Sequence, residues 1–230
     1  MPPTIADVAR AAGVSTATVS RVLNGNTEVN EVLAGRVRAA VSELAYRPSR
    51  IARSLRTRRT SIWAMIISDI RNPFFTDMVR GVEDVAYANG YSLVLCNAEE
   101  DAAKETDYLQ LALAEHMAGV ILTPTSATTD VTPLLERGVA LVTVDRKLPG
   151  GQVDRVLIDN AGGAEMAVSH LVERGYWRIG CISGRTEVST GSERLEGYKA
   201  GLRAHGIRVS RKLIAYGDFR EPGGKAAMDE

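Results

Sequence analysis

The sequence is poor in the residues from which most metal centres and redox sites are built. It contains two cysteines and three histidines among 230 residues. Cys96 and Cys181 lie far apart without the C-x-x-C spacing of zinc or redox motifs, which predicts two reduced core residues of a cytosolic protein. The histidines fall on separate predicted helices, and no H-E-x-x-H occurs. We therefore expect neither a metal nor a cofactor.

Long apolar runs and common enzyme motifs are also missing. No run approaches the roughly 20 apolar residues that a membrane-spanning helix needs. The opening Met-Pro-Pro-Thr leads into amphipathic sequence without the apolar stretch of an export signal. Neither G-x-x-x-x-G-K-S/T nor G-x-S-x-G is present. These absences predict a cytoplasmic protein without a membrane partner, and they disfavour an enzyme.

The zero net charge conceals a separation of charge along the chain. Residues 1–60 carry ten arginines and no lysine against four acidic residues, a net charge of +6. The remaining residues carry eighteen basic and twenty-four acidic side chains, a net charge of −6. A basic head on an acidic body predicts that the head meets a polyanion.

Apolar spacing in residues 1–46 predicts three short helices that share one core. Thr4 and Ser15 can cap the first two helices, Gly13 can end the first, and the third follows Asn30. The outward positions of the second helix are small or polar apart from one arginine: Thr16, Ala17, Ser20, Arg21 and Asn24. Such a surface suits close approach to the major groove of DNA. The alternative is a helical cap with a solvated face.

The stretch IADVARAAGVSTATVSRVLN closely resembles the helix-turn-helix of the lactose-repressor (LacI/GalR) family of bacterial regulators. The match continues through VRAAVSELAYRPS and IARSLRT. The resemblance implies base contacts from Thr16, Ala17 and Arg21, with Asn24 on the same outward face. It also implies that phosphates are held by a second set of residues: Thr4, Ser15, Thr18 and Ser20.

Residues 47–60, RPSRIARSLRTRRT, contain six arginines between Arg47 and Arg59. By composition alone this segment is a solvated linker. The resemblance implies a hinge that folds into a helix on operator DNA and pairs with its twin in a homodimer. It implies that Leu55 wedges into the minor groove while Arg53 and its neighbours contact phosphates.

From residue 61 onward, apolar strand-like runs alternate with helical runs, which predicts a parallel α/β sheet. The predicted strands are SIWAMIIS, YSLVLCN, AGVILT, VALVTV, RIGCIS and KLIAYG. This body resembles the family's effector domain and the periplasmic sugar-binding proteins, which implies two lobes. The expected domains are an all-α helix-turn-helix domain, a hinge, a first lobe and a truncated second lobe: residues 1–46, 47–60, 61–160 and 161–230.

Ligands of parallel sheets bind at the carboxyl ends of the strands. There, the segments NPFF and DR look like the ribose-binding version of the family. The resemblance implies an effector site formed by Asn72, Phe74, Phe75, Asp145, Arg146, Thr190, Arg194 and Phe219. Asp69 and Asp159 are weaker candidates that could instead hold loops. The resemblance implies a sugar or a nucleoside as effector, of which a sugar is expected here, and Arg146 and Arg194 could equally bind a sugar phosphate.

These features predict a homodimeric, DNA-binding transcriptional repressor of carbohydrate-related genes that recognises a palindromic operator. Two alternatives remain: a sugar-binding protein without DNA activity, and a small-molecule enzyme that uses the strand-end site. Relatives implied by the resemblance run on well beyond Glu230. We therefore expect a C-terminally incomplete chain.

The hinge gives a first prediction. Leu55→Ala should weaken specific operator binding but leave non-specific binding unchanged, because only a kinked operator centre can accept the apolar wedge. Gel-shift titrations with a palindromic operator and with random DNA measure the two affinities. An equal loss on both DNAs would instead assign Leu55 a role in folding.

Overall fold

The computed structural model describes residues 3–25, 29–47, 60–150 and 153–229. It divides into two compact units, residues 1–60 and residues 61–230, which are described separately below. Arg53 and Leu55 lie outside the described residues, so their proposed roles in the hinge remain predictions.

The first unit contains the three predicted helices, α1 (Ile5–Ala12), α2 (Thr16–Leu23) and α3 (Glu31–Glu43). Gly13 adopts a left-handed φ of 63°, which ends α1 and lets the chain turn into α2. The helices bury one apolar cluster between them: Val8, Ala9, Ala12, Val19, Val37 and Ala40. None of these helices is long enough to be stable alone, so their stability depends on that shared core.

The second unit contains a five-stranded parallel sheet in the order β2-β1-β3-β4-β5. The strands are β1 (Ile62–Ile67), β2 (Ser92–Asn97), β3 (Gly119–Leu122), β4 (Ala140–Val144) and β5 (Asp154–Val156). The helices between them are α4 (Pro73–Ala88), α5 (Ala102–Ala114) and α6 (Thr132–Glu136).

Apolar clusters lie on both sides of the first sheet. Alternate residues of β1 enter them, with Ala64 and Ile66 in one cluster and Met65 and Ile67 in the other. Because side chains of a strand alternate between its two faces, a strand covered on both sides must be apolar throughout. This explains the uninterrupted apolar run that predicted β1.

A smaller parallel sheet pairs β6 (Cys181–Ser183) with β7 (Ile214–Tyr216). Its helices are α7 (Asn160–Glu173), α8 (Ser189–Ala204) and α9 (Glu221–Asp229), and a 3-10 turn at Arg211–Leu213 precedes β7. The helices α7 and α8 approach closely at two glycines of α8. A Cβ at Gly197 would overlap the carbonyl oxygen of Ala161, and one at Gly201 would lie 2.9 Å from Val168 Cβ.

The sequence did not predict β5. Its three residues are all exposed and include no apolar run, and they join the sheet only through backbone pairing with β4. The predicted strand KLIAYG is also shorter than expected, because its first residues form the 3-10 turn. Within the described ranges, no helix has both the length and the apolar character needed to cross a membrane.

The core of the first sheet gives a stability prediction. Leu122 is fully buried, whereas Leu111 is 39% exposed. Leu122→Ala should lower the free energy of unfolding by about 2–5 kcal/mol, because it removes buried apolar contacts and leaves a cavity. Urea unfolding followed by the fluorescence of Trp63, which stacks on Tyr91 at 4.7 Å, measures the change. Leu111→Ala is the control and should cost less than half as much; equal losses would show that Leu122 is not a core residue.

Candidate functional site

The outward face of α2 matches the surface expected from the sequence at every predicted position except Ser20. The exposed positions include Thr16, Ala17, Arg21 and Asn24, while Thr18 and Ser20 are half-buried. The Nδ2 of Asn24 donates to the carbonyl oxygen of Ser20 at 2.7 Å, so this amide also closes the end of the helix. The beginning of α2 therefore presents short side chains, and Arg21 presents a long cationic one.

Two of the predicted phosphate contacts cap helices. Thr4 Oγ1 accepts from the backbone N–H of Asp7 at 3.4 Å and donates to Asp7 Oδ2 at 2.7 Å. The Thr4 hydroxyl and backbone N–H both bond the Asp7 carboxyl, and they hold its pKa below the usual value. Ser15 Oγ accepts from the backbone N–H of Thr18 at 3.1 Å. Both residues thus sit where unpaired backbone N–H groups of a helix start are concentrated, which is a favourable place for a phosphate.

The second candidate site lies at the carboxyl ends of the strands in the second unit. In the order β2-β1-β3-β4-β5, the chain adds β2 on one side of β1 and then β3 on the other side. Ligands of open α/β sheets bind at such a switch point in strand order. A cavity of about 270 Å³ lies here. Its lining consists of the eight residues expected from the sequence: Asn72, Phe74, Phe75, Asp145, Arg146, Thr190, Arg194 and Phe219.

Aromatic rings form the apolar part of this cavity. Phe74 and Phe75 meet edge to face with their centroids 5.3 Å apart, and the chain positions them by starting α4 at Pro73. Asn72 caps that helix by accepting from the backbone N–H of Phe74 at 3.1 Å. On another wall, the guanidinium carbons of Arg146 and Arg194 each lie 6.0 Å from the Phe219 ring centroid. Flat rings beside polar groups suit the C–H faces and hydroxyls of a sugar.

Asp145 and Arg146 line the cavity, although most of each side chain is buried. Asp145 Oδ1 and Arg146 Nε are both buried and have no hydrogen-bond partner. Burial raises the pKa of the Asp145 carboxyl, while the charges of Arg146 and Arg194 act in the opposite direction. Unpaired buried polar atoms are costly, so a ligand that bonds both of them would recover free energy.

The two cavity arginines have different partners. Arg146 donates two hydrogen bonds to the carboxylate of Glu100, at 2.9 and 2.6 Å, and a third to the carbonyl oxygen of Pro124 at 3.0 Å. Arg194 donates from Nε to the neutral amide oxygen of Asn160 at 2.7 Å. Arg146 is therefore paired with a bidentate carboxylate, whereas Arg194 is oriented by a neutral amide.

The two weaker candidates, Asp69 and Asp159, both hold loops, as the sequence allowed. Asp159 caps α7 by accepting from the backbone N–H of Gly162 at 2.9 Å. Asp69 accepts from the guanidinium groups of Arg71 and Arg220, at 3.1 and 3.0 Å. Burial raises the pKa of the Asp69 carboxyl, but the bonds and charges of its arginines outweigh that effect and leave the pKa below its usual value.

Three residues that were not among the predicted site residues contribute to this region: Glu100, Asn160 and Arg185. Arg185 Nη1 donates to Glu100 Oε2 at 3.2 Å, although the two residues are eighty-five positions apart in the sequence. Their types and spacing carry no motif, and only the folded chain brings them together. Within the described ranges, no group of three or more histidine, cysteine, aspartate or glutamate residues could hold a metal ion.

Family comparisons cover both units of the chain. Residues 4–49 match the model "Bacterial regulatory proteins, lacI family". Residues 60–230 match "Periplasmic binding proteins and sugar binding domain of LacI family".

Individual relatives agree with these matches. The transcriptional repressor PurR of Photobacterium profundum is 38% identical over 94% of this chain and 65% of its own length. The ribose operon repressor of Escherichia coli K12 is 37% identical over 98% of this chain and 69% of its own length. The chain thus spans about two thirds of these relatives, which are named as transcriptional repressors and not as enzymes.

Among solved structures, a complex of the transcriptional regulator CelR with cellobiose is 34% identical, with a TM-score of 0.68. The similarity covers 99% of this chain and 69% of that one. The helix-turn-helix head, the parallel α/β body and these matches together show that the chain belongs to the lacI family of bacterial regulatory proteins.

Proposed function

We propose that this protein is a sequence-specific transcriptional repressor that binds operator DNA and responds to a sugar. The observation that carries this proposal is the combination of two surfaces in one chain. One is the exposed face of α2 with Arg21, and the other is the cavity with the unpaired atoms Asp145 Oδ1 and Arg146 Nε. A sugar-binding protein without DNA activity would leave the first surface unexplained.

The polar atoms of the cavity favour a neutral sugar over a sugar phosphate. A hydroxyl can donate to Asp145 Oδ1 and accept from Arg146 Nε, because it has both capacities. A phosphate would have to approach the buried carboxylate of Asp145; Arg146 is already paired with Glu100, so Arg194 is the cavity arginine that could meet the phosphate charge. Like charges at short range are costly where water is excluded. A ribose-like monosaccharide is our specific proposal, and the similarity to a ribose operon repressor supports it.

On the DNA side, we infer a homodimer that acts in the cytoplasm on a palindromic operator. Two-fold operators mirror the symmetry of the dimers that bind them, so each head would read one half-site. Thr16 and Ala17 are short enough to contact a thymine methyl, and Arg21 is long enough to reach guanine O6 and N7. The regulated genes would then be those for uptake or breakdown of the same sugar.

Base reading by Arg21 is the first test of this function. Arg21→Ala should weaken operator binding by about 1–3 kcal/mol per half-site and relax the preference at one base pair, because a bidentate guanine contact is lost. Gel shifts at several salt concentrations, with operators varied one base pair at a time, measure both effects. Arg38→Ala is the matched control, because Arg38 is exposed on α3 and pairs with Glu31. A loss that is uniform across all sequences would make Arg21 a phosphate contact.

The cavity gives the second test. Arg194→Ala should weaken binding of D-ribose by roughly 10- to 150-fold, because a hydrogen bond to a charged group contributes about 1.5–3 kcal/mol. Operator binding without sugar should be unchanged. Isothermal calorimetry and gel shifts measure the two affinities, and Arg203→Ala, an exposed arginine on the same helix, is the control.

Ribose 5-phosphate and a purine nucleoside complete the ligand panel for that test. Tighter binding of the phosphate than of ribose would overturn the electrostatic argument from Asp145. Normal ribose binding by Arg194→Ala would place the sugar site elsewhere. Consumption of the sugar during the titration would favour an enzyme.

A further inference from the structure

Glu100 connects two parts of the second unit that the chain keeps far apart in sequence. It follows β2 of the first sheet, and its side chain is 12% exposed. Its carboxylate accepts from both terminal nitrogens of Arg146, which follows β4. The same carboxylate accepts from Arg185, which follows β6 of the second sheet. One carboxylate therefore contacts a cavity residue and the loop that follows β6 of the second sheet.

The backbone at this point adopts a conformation that side chains disfavour. Glu99 and Glu100 have consecutive φ values of 56° and 60°, in the left-handed region that few residues other than glycine occupy. The N–H of Glu100 donates to the carbonyl oxygen of Ser68 at 2.8 Å and so fixes this turn against the end of β1. Strained backbone persists where surrounding contacts hold it, and it concentrates at functional sites.

The pairing also determines what Arg146 can offer to a ligand. Because Glu100 occupies the two terminal nitrogens, and the Pro124 carbonyl also bonds one of them, Nε remains as a buried donor without a hydrogen bond, 3.9 Å from Asp145 Oδ2. A planar guanidinium held by a bidentate carboxylate has little rotational freedom. Glu100 thus fixes the orientation of the Arg146 guanidinium, which belongs to the cavity lining.

Besides the contact of Arg146 with the Phe219 ring, other hydrogen bonds join the two sheets, and they differ from those of Glu100 in one respect. Arg220 pairs with Asp69 at 3.0 Å, and the backbone N–H of Lys147 donates to Ser189 Oγ at 2.9 Å. Neither contact involves a residue that lines the effector cavity. Within the described parts of the chain, Glu100 is the carboxylate that bonds both a cavity residue and the loop after β6.

We propose that Glu100 is a positioning residue that couples the orientation of Arg146 in the cavity to the approach of the two sheets. Arg185 supplies the link to the second sheet. Breaking either bond of Glu100 should release the loop after β6, and breaking the bond to Arg146 should also weaken sugar binding. The first consequence is independent of any ligand, while the second rests on the sugar-binding function proposed above.

Hydrogen–deuterium exchange on the whole chain tests the ligand-independent part. Glu100→Gln and Arg185→Gln should each accelerate exchange in residues 184–188 by about tenfold, the change expected when a charge-assisted bond is lost. Only Glu100→Gln should also accelerate exchange in residues 145–147. Glu187→Gln is the matched control, because Glu187 is 70% exposed and lies 3.8 Å from the same Arg185. If residues 184–188 and 145–147 exchange at the same rates in Glu100→Gln as in this control, the coupling does not exist.

Sugar titration tests the second part with the same variants. Glu100→Gln should weaken D-ribose binding by about tenfold, and Glu100→Asp should recover part of that loss. An unchanged ribose affinity in Glu100→Gln would refute positioning of Arg146. If the unaltered chain does not bind ribose, the proposed effector is wrong, but the exchange data still decide the coupling. If Glu100→Gln unfolds, the exchange of residues 184–188 in Arg185→Gln decides whether the coupling exists. This variant should stay folded, because the Arg185 side chain is 34% exposed and its removal spares the core.

Discussion

A guanidinium group cannot be buried without partners, and the burial of Arg146 organises the region around it. Arg146 is only 3% exposed, so its charge must be met by carboxylate and carbonyl oxygens. Glu100 and the carbonyl of Pro124 supply them. Arg146 follows β4, Glu100 follows β2 and Pro124 follows β3. Their pairing therefore requires the ends of these strands to meet at one edge of the sheet. The parallel order of the first sheet is what brings them there.

The same need for hydrogen-bond partners applies to Glu105, which is another buried carboxylate of the first sheet's side, like Asp145. Glu105 is 1% exposed and accepts from the backbone N–H of Thr125 at 2.7 Å and from Thr129 Oγ1 at 2.5 Å. Burial raises the pKa of its carboxyl, although bonds from Thr129 and Thr125 act against that effect. By holding the loop after β3, Glu105 also holds the Pro124 carbonyl in place for Arg146. Buried polar groups are thus linked from α5 to the cavity.

Sequence patterns predicted the helices and strands that have local sequence signals. They missed contacts that depend on tertiary structure. The helices of the head were predictable because capping residues and apolar spacing are local signals, as at Thr4, Gly13 and Ser15. The eight cavity residues were predictable because they match family motifs at strand ends. Glu100 was not, since nothing near it indicates that Arg146 and Arg185 will fold against it. The short strand β5 was missed because its pairing is made by backbone alone.

The close approach of α7 and α8 makes the cavity sensitive to a residue that lines no part of it. Gly197 leaves room for the carbonyl of Ala161, and Ala161 directly follows Asn160, whose amide orients Arg194. Any larger residue at position 197 would have to displace the start of α7 and carry Asn160 with it. Divergence within the family could therefore retune a sugar response through helix spacing, while every residue that faces the sugar stays the same.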